Sequence, residues 1–216
     1  FVRKGKASKD PETWKGFVEI MRESNIPEWY IESCRKIKYM FPKAHAAAYV
    51  TNAFRIAWFK VHIPLAYYAA YYSIRAKAFD AEVMINGKEK VKNKMKEIEM
   101  MGNNATPKDK DMFDDLEIVH EMYERGFKFL PIDLYKSHYK NFLVEDEGIR
   151  PPFSSIAGFG PIAAKSLYEA AKSGEEFMSI DEVRLAAKLG DSTVDLLREF
   201  GVFEGMQESN QISLFG

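Results

Sequence analysis

Cysteine is almost missing from this 216-residue chain. Cys34 stands alone, so no disulfide can form within the chain and no cysteine-rich zinc site is available. A single thiol suits a reducing, cytoplasmic setting. Histidine is sparse as well: His45, His62, His120 and His138 are scattered, with no H-x-x-x-H pair, which argues against a metal centre. No uninterrupted apolar run is long enough for a bilayer, because the stretch from Ala44 to Ile74 is broken by Arg55, Lys60 and Pro64. That stretch is expected to form buried helices, and no membrane partner is expected. There is also no signal peptide and no initiator Met; Phe1-Val-Arg-Lys-Gly-Lys reads as a cut through a longer protein.

Acid is absent from one long segment. Between Glu32 and Asp80 there is no Asp or Glu, while Arg35, Lys36, Lys38, Lys43, Arg55, Lys60, Arg75 and Lys77 all fall there. A solvated helix normally mixes signs through i,i+4 pairs, so a one-signed run points to a bound polyanion such as nucleic acid or a triphosphate. The formal net charge of −1 hides this. Residues 1–80 hold 14 basic against 7 acidic side chains, residues 81–150 hold 12 against 15, and residues 151–216 hold 5 against 10.

What is present is most informative at Ser155-Ile-Ala-Gly-Phe-Gly-Pro-Ile-Ala-Ala-Lys-Ser166. Gly158 and Gly160 permit a tight turn, and Pro161 sits where a helix begins. Ile162, Ala163, Leu167 and Ala170 continue at helical spacing. A glycine hairpin feeding a helix N-terminus bares main-chain N–H groups and the positive dipole end to an anion. That is how a helix-hairpin-helix unit holds a DNA phosphate, with Gly158, Phe159, Gly160, Ile162, Ala163 and Lys165 as the DNA-binding set. The same residues fit G-x-G-x-x-A, but Arg150-Pro-Pro-Phe before them is too proline-rich for the central strand a dinucleotide fold needs. An αα-turn that only packs is the plain alternative.

Mainly α structure with a short β element is predicted. Helices are expected from Asp10-Pro11 to about Glu23, from near Pro27, from Lys43 to about Phe59, and from Pro64 to Phe79. Two more are expected near Lys88–Met101 and Pro107–Arg125. The segments Phe127–Asp133 and Tyr139–Glu145 alternate with period two and read as strands. Helices near Ile180–Lys188, opened by a Ser179/Glu182 capping box, and Ser192–Phe200 follow, with Leu189-Gly-Asp as a degenerate second hairpin. No repeat of fixed period is visible. Residues 204–216 read as a flexible tail.

The run Lys36-Ile-Lys-Tyr-Met-Phe-Pro-Lys-Ala-His-Ala-Ala-Ala-Tyr-Val has its own chemistry. Lys43, Ala46, Ala47 and Val50 can share one helix face, and His45, Tyr49 and Asn52 another. Three alanines leave the flank bare for a flat base pair, Lys36, Lys38 and Lys43 can neutralise phosphates, and Tyr39 or Tyr49 can stack on a base. Residue by residue, the lysines read as functional and Tyr39, Phe41 and Tyr49 as core aromatics.

This run, centred on Phe-Pro-Lys-Ala-His-Ala-Ala-Ala-Tyr, resembles the fingers of the bacterial replicative DNA polymerase III alpha subunit, in its PolC form. The likeness continues through Gly126-Phe-Lys-Phe-Leu-Pro-Ile-Asp-Leu-Tyr and Arg150-Pro-Pro-Phe to the hairpin, and so covers essentially the whole chain. It implies fingers over residues 1–125 and a duplex-binding domain over 126–203. Lys36, Lys38, Tyr39, Lys43, His45 and Tyr49 would then meet nucleotide and template. The family's palm aspartates hold two magnesium ions. No matching carboxylate set is present here: Asp109, Asp111, Asp114 and Asp115 lie in the first turns of a helix and read as a solvated surface. The palm and the proofreading exonuclease are expected upstream, so the fragment alone is expected to be inactive, with no catalytic residue, metal site or cofactor of its own.

At the other end, Gln211-Ile-Ser-Leu-Phe215 resembles the peptide by which bacterial replication proteins hold the sliding clamp, with Gln211, Ser213, Leu214 and Phe215 as its contacts. The implied partners are primer-template DNA, a deoxynucleoside triphosphate, the clamp and other replisome subunits. A non-catalytic DNA-binding or clamp-adaptor protein is the competing reading; the acid-free, aromatic-rich block at 33–79 is more than such an adaptor needs.

Overall fold

The computed structural model describes residues 1–174 and 176–209. The chain divides into two compact units, Phe1–Trp58 and Phe59–Gly216. In the first, two 3-10 turns (Val2–Lys4 and Lys6–Ser8) precede α1 (Pro11–Glu23) and α2 (Glu28–Lys36). Asp10 caps α1 as expected, accepting from the Thr13 N–H at 3.2 Å, with Pro11 at the first position. Ala7, Trp14, Ile31 and Cys34 form a small core. The segment after α2 is fixed by Gly5, whose φ of +68° only glycine adopts freely; a Cβ there would lie 1.9 Å from the Lys38 carbonyl oxygen. The Met40 N–H donates to the Arg3 carbonyl at 2.9 Å and closes the same corner.

Helix α3 runs from Lys43 to His62, three residues past the expected end. The expectation that this region is buried is wrong for α3: none of its residues is buried, and Tyr49, Phe54, Trp58 and Phe59 are exposed.

The second unit contains α4 (Pro64–Ile74), the single turn α5 (Ala81–Met84), α6 (Lys88–Met101) and α7 (Pro107–Glu124). Helix α4 stops five residues before the predicted Phe79, and Asp115 explains why. Its carboxylate accepts the N–H groups of Lys77 (2.9 Å) and Ala78 (2.8 Å) and the Tyr71 hydroxyl (3.3 Å). Those bonds satisfy the backbone of a turn where the helix would otherwise continue. Asp115 is therefore not a solvated surface acid; it is 2 % exposed, and burial pushes its carboxyl above the usual range against those three donors. Among its neighbours, Asp109 closes a capping box with Thr106, and Asp111 pairs with Lys77 at 3.0 Å. Tyr68, Tyr72, Leu116, Met122 and Ile149 centre the core between α4, α6 and α7.

The predicted strands are mostly replaced. Only Leu143–Glu145 (β1) pairs, antiparallel, with Gly148–Arg150 (β2), a hairpin the alternation did not reveal. Residues 127–133 run extended beside it, joined where the Leu130 N–H donates to Ile149 (2.8 Å) and the Ile149 N–H donates to Lys128 (3.1 Å). The next bond of that ladder would come from the N–H of residue 151, and Pro151 has none. Arg150 is buried here, bonded to Glu145 and donating to the Pro131 carbonyl at 2.6 Å; the pair holds the guanidinium above and the carboxyl below their ordinary values.

A 3-10 turn at Phe153–Ser155 leads to α8 (Pro161–Ala171), followed by α9 (Ile180–Ala187) and α10 (Asp191–Glu199). Ser179 caps α9 as predicted. Phe153, Ile156, Phe159, Leu167, Val183 and Leu197 lie in their common core. The stretch expected to be free from Glu204 is tied down through Glu208: the N–H groups of Ile180 and Asp181 donate to Gln207 (2.9 Å) and Glu208 (3.1 Å), and Met206 packs on that core. The fold class is thus mainly α with one short β hairpin. Asp115→Ala should strand the two N–H groups and destabilise the second unit by about 1–3 kcal/mol, measured by urea denaturation followed by tyrosine fluorescence.

Candidate nucleic-acid interface

The first hairpin is built from alternating demands along three residues. Gly158 has φ +84°, while a Cβ there would only touch the Leu196 side chain at 3.5 Å. The glycine is required by backbone conformation rather than by space. Phe159 next to it is 4 % exposed and drives into the core beside Phe153 and Ile156. Gly160 then takes extended dihedrals as the N-cap of α8, with no side chain to cap it. Pro161 and Ile162 stand in solvent, Ile162 at 86 % exposure. The amides of Ile162 and Ala163 lie in the first turn, where a helix provides no i−4 carbonyl from within itself. What leads into Gly158 is a 3-10 turn, not a strand, which removes the dinucleotide reading.

One expected contact residue is corrected. Phe159 is an internal anchor: its ring is buried and its N–H already donates to the Ile156 carbonyl at 3.1 Å. The surface that remains for a ligand is Gly158, Gly160, Ile162, half-buried Ala163 and exposed Lys165. Lys165 pairs with Glu169 at 3.6 Å across one helical turn, a solvent-exposed interaction of about 0.3–0.5 kcal/mol that a phosphate can replace.

Thirty positions on, the geometry repeats. Lys188 takes the left-handed conformation of Gly158 (φ +54°), Leu189 is buried like Phe159, and Gly190 caps α10 with the extended dihedrals of Gly160. Ala164 and Val194, then Leu167 and Leu197, are buried at matching places. The degenerate hairpin is therefore real, and so is a repeat that residue types alone conceal. Its chemistry differs. Asp191 stands where Pro161 does, and it accepts from Arg184 at 3.1 Å, so a carboxylate occupies the mouth of the second hairpin.

In the first unit, Lys36 closes α2, Lys38 and Tyr39 lie in the connection, and Lys43, His45 and Tyr49 follow on α3. All six are exposed, and no ion pair among the described residues involves the three lysines. The core reading of the aromatics fails: Tyr39 is 65 % and Tyr49 63 % exposed, with Phe41 also at the surface. The rings run as a chain, Tyr39 to Phe41 (6.2 Å), Phe41 to His45 (4.8 Å) and His45 to Tyr49 (4.4 Å, edge-on). Gln211, Ser213, Leu214 and Phe215 lie outside the described residues. Among the described residues no group of three or more His, Cys, Asp or Glu side chains could hold a metal ion, and no helix is long and apolar enough to cross a membrane.

Two uncapped hairpins feeding helices over one core define a helix-hairpin-helix domain. A family model described as a helix-hairpin-helix motif matches residues 126–212. Beyond it, the chain is 49 % identical over 215 residues to the PolC-type DNA polymerase III of Clostridium perfringens, covering 100 % of this chain and 14 % of that protein. It is 46 % identical to that of Caldanaerobacter subterraneus subsp. tengcongensis and 50 % identical to that of Streptococcus sanguinis, each over 99 % of this chain and 15 % of the relative. Over its whole length the chain is similar to one part of these PolC-type DNA polymerase III proteins. It spans 14–15 % of the length of these relatives.

His138 escaped the sequence reading and holds the loop ahead of the hairpin. Its Nδ1 accepts the N–H groups of Lys140 and Asn141, both at 2.9 Å, and its ring lies against Tyr139 and Tyr168. An imidazole can accept at that nitrogen only when it is unprotonated there. Burial lowers its pKa from the ordinary 6.5. As pH falls, the unfolded chain therefore takes up the proton first. The stability His138 contributes is complete above about 6.5 and is lost as pH drops through the lower folded value. Denaturation midpoints of the chain should fall between pH 7.5 and 5.5, and His138→Asn should remove part of that fall.

Proposed function

We propose that this chain is the fingers and duplex-binding portion of a PolC-type replicative DNA polymerase. Residues 1–125 serve as fingers, residues 126–203 grip product duplex, and the peptide Gln211–Phe215 engages the sliding clamp. The observation that carries the reading is the bare N-terminus of α8: a left-handed glycine, a buried aromatic anchor and a glycine N-cap leave outward amides that no side chain fills. Such a group of donors suits a phosphodiester and ignores base identity. It also suits a domain that carries more acid than base, because dipoles and amides supply the attraction.

The fingers assignment is supported by the unpaired Lys36, Lys38 and Lys43 and by the exposed ring chain from Tyr39 to Tyr49. The lysines would neutralise triphosphate or template phosphates, and Tyr39, His45 and Tyr49 would offer faces for stacking. Asp109, Asp111 and Asp115 are engaged in capping and pairing, which leaves Asp114 without a second carboxylate, so the residues present do not fit a catalytic magnesium pair. In this reading the palm, its magnesium ions and the chemistry belong to another part of the polymerase, and this chain alone forms no phosphodiester bond.

Three results test the assignments. Ile162→Glu should weaken binding of the chain to a DNA duplex at least tenfold, read by fluorescence anisotropy, because a carboxylate then opposes the phosphate. In an intact polymerase of this family, replacing Lys43 and His45 with Ala should raise the apparent nucleotide KM or lower kcat; unchanged kinetics would reject those two residues. Titration against a purified clamp should show binding that disappears when Leu214 and Phe215 are both changed to Ala.

A further inference from the structure

We infer that a pocket upstream of the first hairpin is a second phosphodiester seat, with Lys140 and Ser154 as the groups that meet the phosphate. The inference rests on the duplex-binding reading above. The pocket encloses about 250 Å³, and its wall comes from the end of α4, the segment 140–142 and the 3-10 turn before the hairpin. Lys77, Lys140, Ser73, Ser154 and Ser155 line it, and no carboxylate does. A cavity of about 460 Å³ in this unit is of the opposite kind, with Glu82 and Glu199 over an apolar floor.

Sorting the polar groups by what they already do identifies the free ones. Ser73 Oγ donates to the Ala69 carbonyl at 2.7 Å and accepts the Phe142 N–H at 2.9 Å, so it builds the wall. Ser155 Oγ donates to the Pro152 carbonyl at 2.6 Å. Lys77 is engaged by Asp111, which lies outside the lining. Lys140 is exposed and takes part in no ion pair among the described residues, and the exposed Ser154 hydroxyl has no hydrogen bond among them. A cation and a hydroxyl donor on a carboxylate-free wall select an anion.

The wall is also fixed in advance. The Phe153 and Ser154 N–H groups donate to the carbonyls of His138 (3.0 Å) and Tyr139 (3.2 Å), and His138 Nδ1 holds the Lys140 N–H. Only the Lys140 side chain remains to be ordered on binding, which keeps the entropic cost small. Duplex DNA rather than free phosphate is the ligand because of chain continuity. Ser154 and Gly160 are six positions apart, so the two places are at most about 20 Å apart. At roughly 3.4 Å per step of one strand, that is within one turn of a duplex held at α8.

The test uses the 216-residue chain with a fluorescein-labelled duplex over a series of KCl concentrations. Lys140→Ala with Ser154→Ala should weaken binding about three- to tenfold and reduce the slope of log Kd against log salt by about one. Lys140→Arg should restore the slope, and Lys136→Ala, a nearby exposed lysine outside the pocket, should leave it unchanged. Both pocket substitutions are at the surface, so unchanged thermal melting verifies folding. A double variant with the wild-type slope, or one indistinguishable from Lys136→Ala, overturns the second seat while duplex binding stands. A wild-type chain that binds no duplex overturns the parent reading and this one together. In that event, amide NMR shifts at Lys140 and Ser154 on adding inorganic phosphate separate a free-phosphate site from none.

Discussion

The hairpin depends on one buried ring. Phe159 enters the core between two glycines, and the chain on either side must turn outward to let it do so. Burying a phenylalanine contributes about 1.5–3 kcal/mol. Leaving a helix N-terminus without a side-chain cap costs about 1 kcal/mol, and a glycine N-cap less than that. The anchor therefore outweighs the open helix end, and the domain can keep the first-turn amides of α8 bare for a ligand. The same arrangement at Leu189 and Gly190 supports α10, where Asp191 and Arg184 occupy the opening instead. Two places of equal geometry thus differ in what they can hold, because one begins with proline and the other with a carboxylate.

Charge is handled differently in the two units. The first presents lysines that no carboxylate among the described residues neutralises, beside exposed aromatic rings. The second spends most of its charges internally. Asp115 ends α4, Arg150 and Glu145 brace the β hairpin, and Glu121 takes Lys60 at 2.9 Å and the Tyr68 hydroxyl at 2.7 Å. Burial pushes the Glu121 carboxyl up, but Lys60, Tyr68 and Arg125 outweigh it and hold the group below its ordinary value. An acid count is thus a poor guide to the surface a polyanion would meet. Of those acids Asp115 is already facing backbone, and Glu121 and Glu145 face buried or half-buried partners.

Much of the helical architecture was readable from local signals, since caps act within one turn. Asp10-Pro11, Thr106-Pro107 and Ser179 each begin a helix where the spacing put it. The sequence misled where a distant residue decided the matter. Asp115, nearly forty positions away, stops α4, and β2 forms because Gly148 admits a close approach to the Lys128 carbonyl, which a Cβ would meet at 2.5 Å. The thirty-residue repeat was illegible because it is conserved in dihedral angles and burial, with lysine standing in for glycine.

The amino-acid sequence by itself determined the helices, the glycine hairpin, the acid-free basic segment and the family likeness, because each rests on residue types at short spacing. Only the tertiary structure decided that Phe159 faces inward and Ile162 outward, that Tyr39 and Tyr49 are uncovered, and that Lys140 and Ser154 line one pocket. Solvent exposure and pairing depend on what the folded chain brings alongside a residue, and in this protein those neighbours come from far along the chain.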